Sequence, residues 1–175
     1  MTNMQQMTDS DPSDSAVQRD IEQEMLHRVG NKHPDWRRIH WKGLASELGL
    51  SPIWQKTKPD AVWKNHSNRI ILAECYSRVG ELKAGHLRKL AMDVLKLLAL
   101  RDALKGYSVE CLLVVPEELK VKLTSNGWFP AALHLVAEIV SVDLKEDERK
   151  ELVAASTRQA QGQARTKRAG KDSIK

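Results

Sequence analysis

Lys58-Pro59-Asp60-Ala61-Val62-Trp63 is followed, past Asn65, His66, Ser67 and Asn68, by Ile70-Ile71-Leu72-Ala73-Glu74-Cys75-Tyr76. Two short runs rich in β-branched and aromatic residues, separated by turn formers, predict a hairpin with arms over 61–64 and 69–77. Asp60 stands at the head of the first arm and Glu74 inside the apolar second arm. A carboxylate in an apolar strand is costly to bury unless it meets a cation, a metal or hydrogen-bond donors. Two carboxylates aimed at one spot from adjacent arms therefore predict a divalent-cation site.

Upstream of the hairpin, Val17, Ile21, Met25 and Leu26 recur at helical period, and Ser15 and Gln18 have the spacing of a capping box. Gly30 and Asn31 end that helix. Residues 36–44 read as a strand or an irregular segment, and 45–48 as a short helix closed by Gly49. Downstream, Gly80 lies in a connection that leads to the strongest helix, over 82–104. Leu87, Leu90, Ala91, Val94, Leu95 and Leu98 predict its apolar face. His86, Lys89, Asp93 and Lys96 lie along one side at steps of three, four and three, and Gly106 closes the helix.

The apolar run 109–115 predicts a buried strand. Strand, long helix and strand predict a parallel crossover. A short helix over 116–123, a turn at Asn126-Gly127, a strand over 133–144 and a charged helix from Lys145 to about Gln159 complete the pass. Trp128 is expected to anchor that last strand. The fold class is therefore α/β: a mixed sheet with helices packed on it. The domain plan is a disordered N-terminal tail over 1–14, one domain over 15–144, then the charged helix and a basic disordered tail over 145–175.

Bulk properties narrow the class. A chain of 175 residues with 41% hydrophobic residues suits one domain with a real core. The formal net charge of +5 favours an anionic partner, although part of it sits in the tail at Arg165, Lys167, Arg168, Lys171 and Lys175. Cys75 and Cys111 are the only cysteines, and no C-x-x-C pair exists. This argues for reduced buried thiols and against a structural zinc site. No apolar run approaches the roughly 20 residues of a membrane span, and residues 1–14 lack a basic-then-apolar leader pattern. A cytoplasmic, non-membrane protein is expected. Gly-rich phosphate loops, dinucleotide fingerprints and serine-hydrolase signatures do not occur.

With Pro59-Asp60 as the first half of a motif and Glu74 as the second, the chain resembles the restriction-endonuclease-like superfamily, the PD-(D/E)xK phosphodiesterases. The resemblance covers roughly residues 15–144. It implies a core of helix, three-strand meander, crossover helix and strand. It also implies metal-dependent nuclease activity on DNA, with Mg²⁺ or Mn²⁺ held by Asp60, Glu74 and the Cys75 carbonyl. In many relatives a carboxylate from the first helix contributes; Glu22 and Glu24 are the options here, and Glu24 lies nearer the Ile21–Met25 stripe. The family places a lysine two residues after the second acid, and this chain has Tyr76 there. Some relatives supply the lysine from another element, and Lys89, then Lys83, are the first choices on the long helix. Arg78, His86 and Arg88 are the expected nucleic-acid contacts, and a homodimer is expected because one site cuts one strand.

Two rival readings accompany this one. An inactive relative that binds nucleic acid or a protein partner would also carry Tyr76 in the lysine position. Leu44-Ala45-Ser46-Glu47-Leu48-Gly49-Leu50-Ser51 looks like the first half of a helix-turn-helix, but Pro59 curtails any second helix over 51–56. Trp36, Trp41, Trp54 and Trp63 could stack on bases, and core packing is the commoner use of such residues.

Overall fold

The computed structural model describes residues 14–158. Of the N-terminal tail expected over 1–14, residues 1–13 lie outside the described residues and Asp14 opens the first helix; the basic segment from 159 onward also lies outside them. Twelve elements follow in order. They are α1 (Asp14–Asn31), β1 (Arg37–Arg38), α2 (Trp41–Glu47), α3 (Pro52–Lys56), β2 (Ala61–Lys64) and β3 (Ile70–Cys75). Then come α4 (Ala84–Ala103), β4 (Val109–Pro116), α5 (Glu117–Leu123), α6 (Trp128–Val136), β5 (Glu138–Val142) and a helix α7 over 146–158.

The five strands form one mixed sheet in the order β1-β2-β3-β4-β5. β1, β2 and β3 are an antiparallel meander, whereas β3–β4 and β4–β5 are parallel. The β2–β3 turn is made as its residues require. The Asn65 side-chain oxygen accepts from the N–H groups of Ser67 and Arg69, and Asn68 takes a positive φ of 59°. β3 is buried along its whole length, which fits a central strand covered on both faces.

Alternation along the strands divides the core into two layers. Val62, Ile70, Leu72, Tyr76, Leu113 and Val115 face Trp41 and Leu44 of α2 and Leu90, Val94, Leu97 and Leu100 of α4. Ala61, Trp63, Ile71, Ala73 and Val114 face Ile21, Met25, Leu26 and Val29 of α1, joined by Leu152 of α7. Gly30 permits the closest approach in this second layer, since a Cβ there would lie 2.9 Å from Trp63 Nε1. Its place in the sequence therefore reflects helix–sheet contact as well as the end of α1.

Three expectations are corrected. Residues 133–144 are not one strand: α6 occupies Trp128–Val136 and only Glu138–Val142 is extended. Trp128 is 82% exposed at the start of α6, so it does not anchor β5. On α4 the buried stripe is Leu90, Val94, Leu97 and Leu100, while Leu87, Leu95 and Leu98 of the expected apolar face point outward. Among the described residues no helix is long and apolar enough to cross a membrane.

Candidate functional site

The β2–β3 register pairs Ala61 with Ala73 and Val62 with Leu72. Carried one step back, it sets Asp60 against Glu74. Both residues share the parity of Val62 and Leu72, so both belong to the α4 side of the sheet. The Asp60 carboxylate prolongs the pairing, because the Cys75 N–H donates to its Oδ2 at 2.9 Å. Arg38 holds the same corner: it donates to the Asp60 carbonyl at 3.2 Å and to Gln23 Oε1 at 3.0 Å, with its guanidinium 5.4 Å from the Trp63 ring centre.

Glu74 is 1% exposed. Its Oε2 lies 2.6 Å from the ammonium of Lys96, which reaches down from α4. Its Oε1 is buried and has no hydrogen-bond partner among the described residues. Burial raises the Glu74 pKa to about 8, Asp60 and Asp93 push the same way, and Lys96 opposes them. Asp93, one turn before Lys96, is also raised by burial, against the pull of Lys89 and Lys96. Acidic groups of the sheet and α4 thus share one region with Lys96 and Lys89 as the opposing charges, and a further cation there would favour the ionised carboxylates.

The other named residues are placed as follows. Tyr76 is buried, and the Lys89 ammonium lies 4.9 Å from its ring centre. Lys83 is the N-cap of α4, where its N–H donates to His86 Nδ1 at 3.0 Å. Lys96, rather than Lys89 or Lys83, is therefore the lysine that touches Glu74. Glu24 pairs with Arg28 at 3.1 Å, and Arg28 also pairs with Glu148 of α7, so Glu24 is engaged on the α1 side of the sheet. Glu22 is the α1 carboxylate that reaches the end of β3, accepting from Ser77 N at 3.3 Å and Ser77 Oγ at 3.1 Å. Arg69, at the start of the second hairpin arm, pairs with Glu110 of β4. Arg78 is half-buried and its Nε has no hydrogen-bond partner among the described residues, His86 is held neutral more readily by desolvation and by Arg78, and Arg88 is exposed on α4.

A cleft beside Asp60 is lined by Arg38, His40, Trp41, Lys58 and Pro59. Sequence reasoning did not single out Arg38, His40 or Lys58; Lys58 is near Asp60 through the chain itself, whereas Arg38 and His40 are brought there by β1 pairing with β2. Trp41 and Trp63 are core residues, and Trp36 stacks on His33 at 3.8 Å. α3 has five residues, too few for a recognition helix, so the segment over 44–56 does not form a full helix-turn-helix.

Among the described residues no three His, Cys, Asp or Glu side chains are grouped to hold a metal ion. Two carboxylates, one with an orphaned buried oxygen, still fit a hard cation that keeps several of its waters. Comparison with protein-family models, with curated proteins and with solved structures gives no match for this chain.

Proposed function

We propose that the chain is a metal-dependent nuclease of the restriction-endonuclease-like class, acting on DNA phosphodiester bonds through Asp60, Glu74 and Lys96. The observation that carries the reading is the Glu74 carboxylate: buried, held by Lys96 on one oxygen, unpartnered on the other, with Asp60 opposite it across the hairpin. The element order agrees with the core that the resemblance implies, namely helix, antiparallel meander, crossover helix and parallel strand.

Asp60, Glu74 and the Cys75 carbonyl would hold Mg²⁺ or Mn²⁺. When bound, such an ion polarises a phosphoryl oxygen and lowers the pKa of a coordinated water. Lys96 replaces the lysine missing at Tyr76: its ammonium holds Glu74 in place and offsets negative charge where the phosphate would lie. Asp60 keeps its orientation through the Cys75 N–H, and Arg38 and Lys58 give the adjacent cleft a cationic lining suited to a polyanion.

The test is incubation with supercoiled and linear DNA in Mg²⁺ and in Mn²⁺, beside calorimetric metal titration of the wild type, Asp60→Ala and Glu74→Ala. Cleavage and metal binding that both substitutions abolish support the reading. No cleavage and no metal binding in the wild type refute it. A second reading, an inactive nuclease-fold protein that binds nucleic acid, is favoured by Tyr76 in the lysine position. It predicts DNA binding in metal-free buffer without strand breaks.

A further inference from the structure

We infer that a second copy of this chain docks on the outer face of α4, antiparallel and centred on Leu95. Leu95 is 55% exposed, Met92 58% and Leu98 37%, and they form an apolar stripe on the side of α4 opposite its buried residues. Arg88, Leu95 and Asp102 lie seven residues apart, so they fall on one side of the helix with Ala91 and Leu98 between them.

Charge decides the occupant. The stripe begins with Arg88 and ends with Asp102, both exposed, and neither forms a salt bridge among the described residues. Turned antiparallel about Leu95, Arg88 of one copy faces Asp102 of the other, and the two-fold axis makes the same pair twice. Met92 then lies beside Ala99 of the other copy and Ala91 beside its Leu98, apolar against apolar on each side of the seam. The two charged pairs stand about 21 Å apart, fourteen residues at 1.5 Å rise, and bracket the apolar centre. A parallel pairing would set Arg88 against Arg88 and Asp102 against Asp102, so the pattern favours the antiparallel dimer. The small side chains of Ala91 and Ala99 allow the helices to come close.

One helix pair buries less than the roughly 800 Å² per partner of a standard interface, so the dimer is weak, with a dissociation constant on the order of micromolar or above. The inference does not depend on the proposed nuclease activity.

Sedimentation velocity from roughly 1 to 200 µM in low salt tests it. A monomer–dimer equilibrium is expected. Arg88→Asp alone and Asp102→Arg alone should each weaken it about tenfold or more, because two like-charge contacts replace two attractive ones. The double reversal should return it to within about threefold of wild type. Leu95→Arg should abolish it while circular dichroism shows the helix content of the wild type. A monomer at every concentration overturns the inference. So does a dimer that is indifferent to Leu95→Arg, or single reversals that the double reversal fails to rescue.

Discussion

The Lys96 ammonium stands 2.6 Å from Glu74 Oε2, which ties the crossover helix α4 to the C-terminal end of β3 through one ion pair. Glu74 comes from the strand before the crossover and Lys96 from the crossover itself. The pair therefore depends on how far along the sheet α4 is docked.

Lys96→Met should leave Glu74 buried without its cation. On the proposed mechanism, DNA cleavage should fall by roughly 100-fold or more, in line with the loss of a positioned charge at a reacting centre. The melting temperature should drop by a few degrees at pH 8 and above, because without Lys96 the buried Glu74 must either keep its proton at a cost or carry its charge unpaired. Lys89→Met should cost far less cleavage, since its ammonium lies over Tyr76 and not against Glu74. Equal losses in the two variants would count against Lys96 as the special lysine.

Glu74 has a pKa raised from 4.5 to about 8 by burial first and by Asp60 next. Below pH 4.5 the carboxyl is protonated in both folded and unfolded chains, and its contribution to stability is fully present. Between 4.5 and 8 the unfolded chain gives up the proton while the folded chain keeps it, so stability declines as pH rises through that window. Thermal melts of wild type minus Glu74→Gln should therefore show a difference that becomes less favourable to wild type from pH 5 to pH 8. A flat difference would contradict the raised value. Metal binding should run the other way, strengthening toward pH 8, because the ion needs the ionised carboxylate.

Asp60→Asn retains a side-chain oxygen for the Cys75 N–H and removes the charge. It should melt within about 1 kcal/mol of wild type yet lose metal binding. Asp60→Ala removes both, leaving the Cys75 N–H without its acceptor, and should cost about 1–3 kcal/mol more than Asp60→Asn in denaturant titrations. Matching stabilities for the two variants would show that the Asp60–Cys75 bond contributes nothing.

Gly30→Ala tests the contact between α1 and the sheet. Glycine to alanine inside a helix ordinarily stabilises by up to about 1 kcal/mol. Here the new Cβ would lie 2.9 Å from the indole nitrogen of buried Trp63. Overpacking should win, with a net loss of about 1–3 kcal/mol by urea unfolding. A stabilised Gly30→Ala would mean that Trp63 yields freely.

Local signals carried the hairpin. Asn65 and Asn68 punctuate two apolar arms, and the arms form where those residues place them. The burial of Glu74 was legible for the same reason, since it interrupts an otherwise apolar strand. Lys96 was visible on the same side of α4 as Lys89, but helical angle alone cannot choose between them. The choice depends on the axial position of α4 on the sheet, which is a tertiary quantity. α4 also carries leucine over more than one face, so periodicity could not say which stripe turns inward: Leu97 and Leu100 are buried and Leu95 is not. In residues 128–136 the run is apolar except for His134, with Pro130 in its first turn, and such a run suits a short helix as readily as a strand.

β1 has two residues, Arg37 and Arg38, both exposed, and it is one border of the sheet. A short border bearing two guanidinium groups offers little backbone for an incoming strand to pair with, and it repels its own image on another copy. Growth of the sheet from molecule to molecule, the route to fibrous aggregates, is thereby discouraged at that margin. Neutralising it, as in Arg37→Val with Arg38→Val, should expose that liability as turbidity or thioflavin binding on gentle heating.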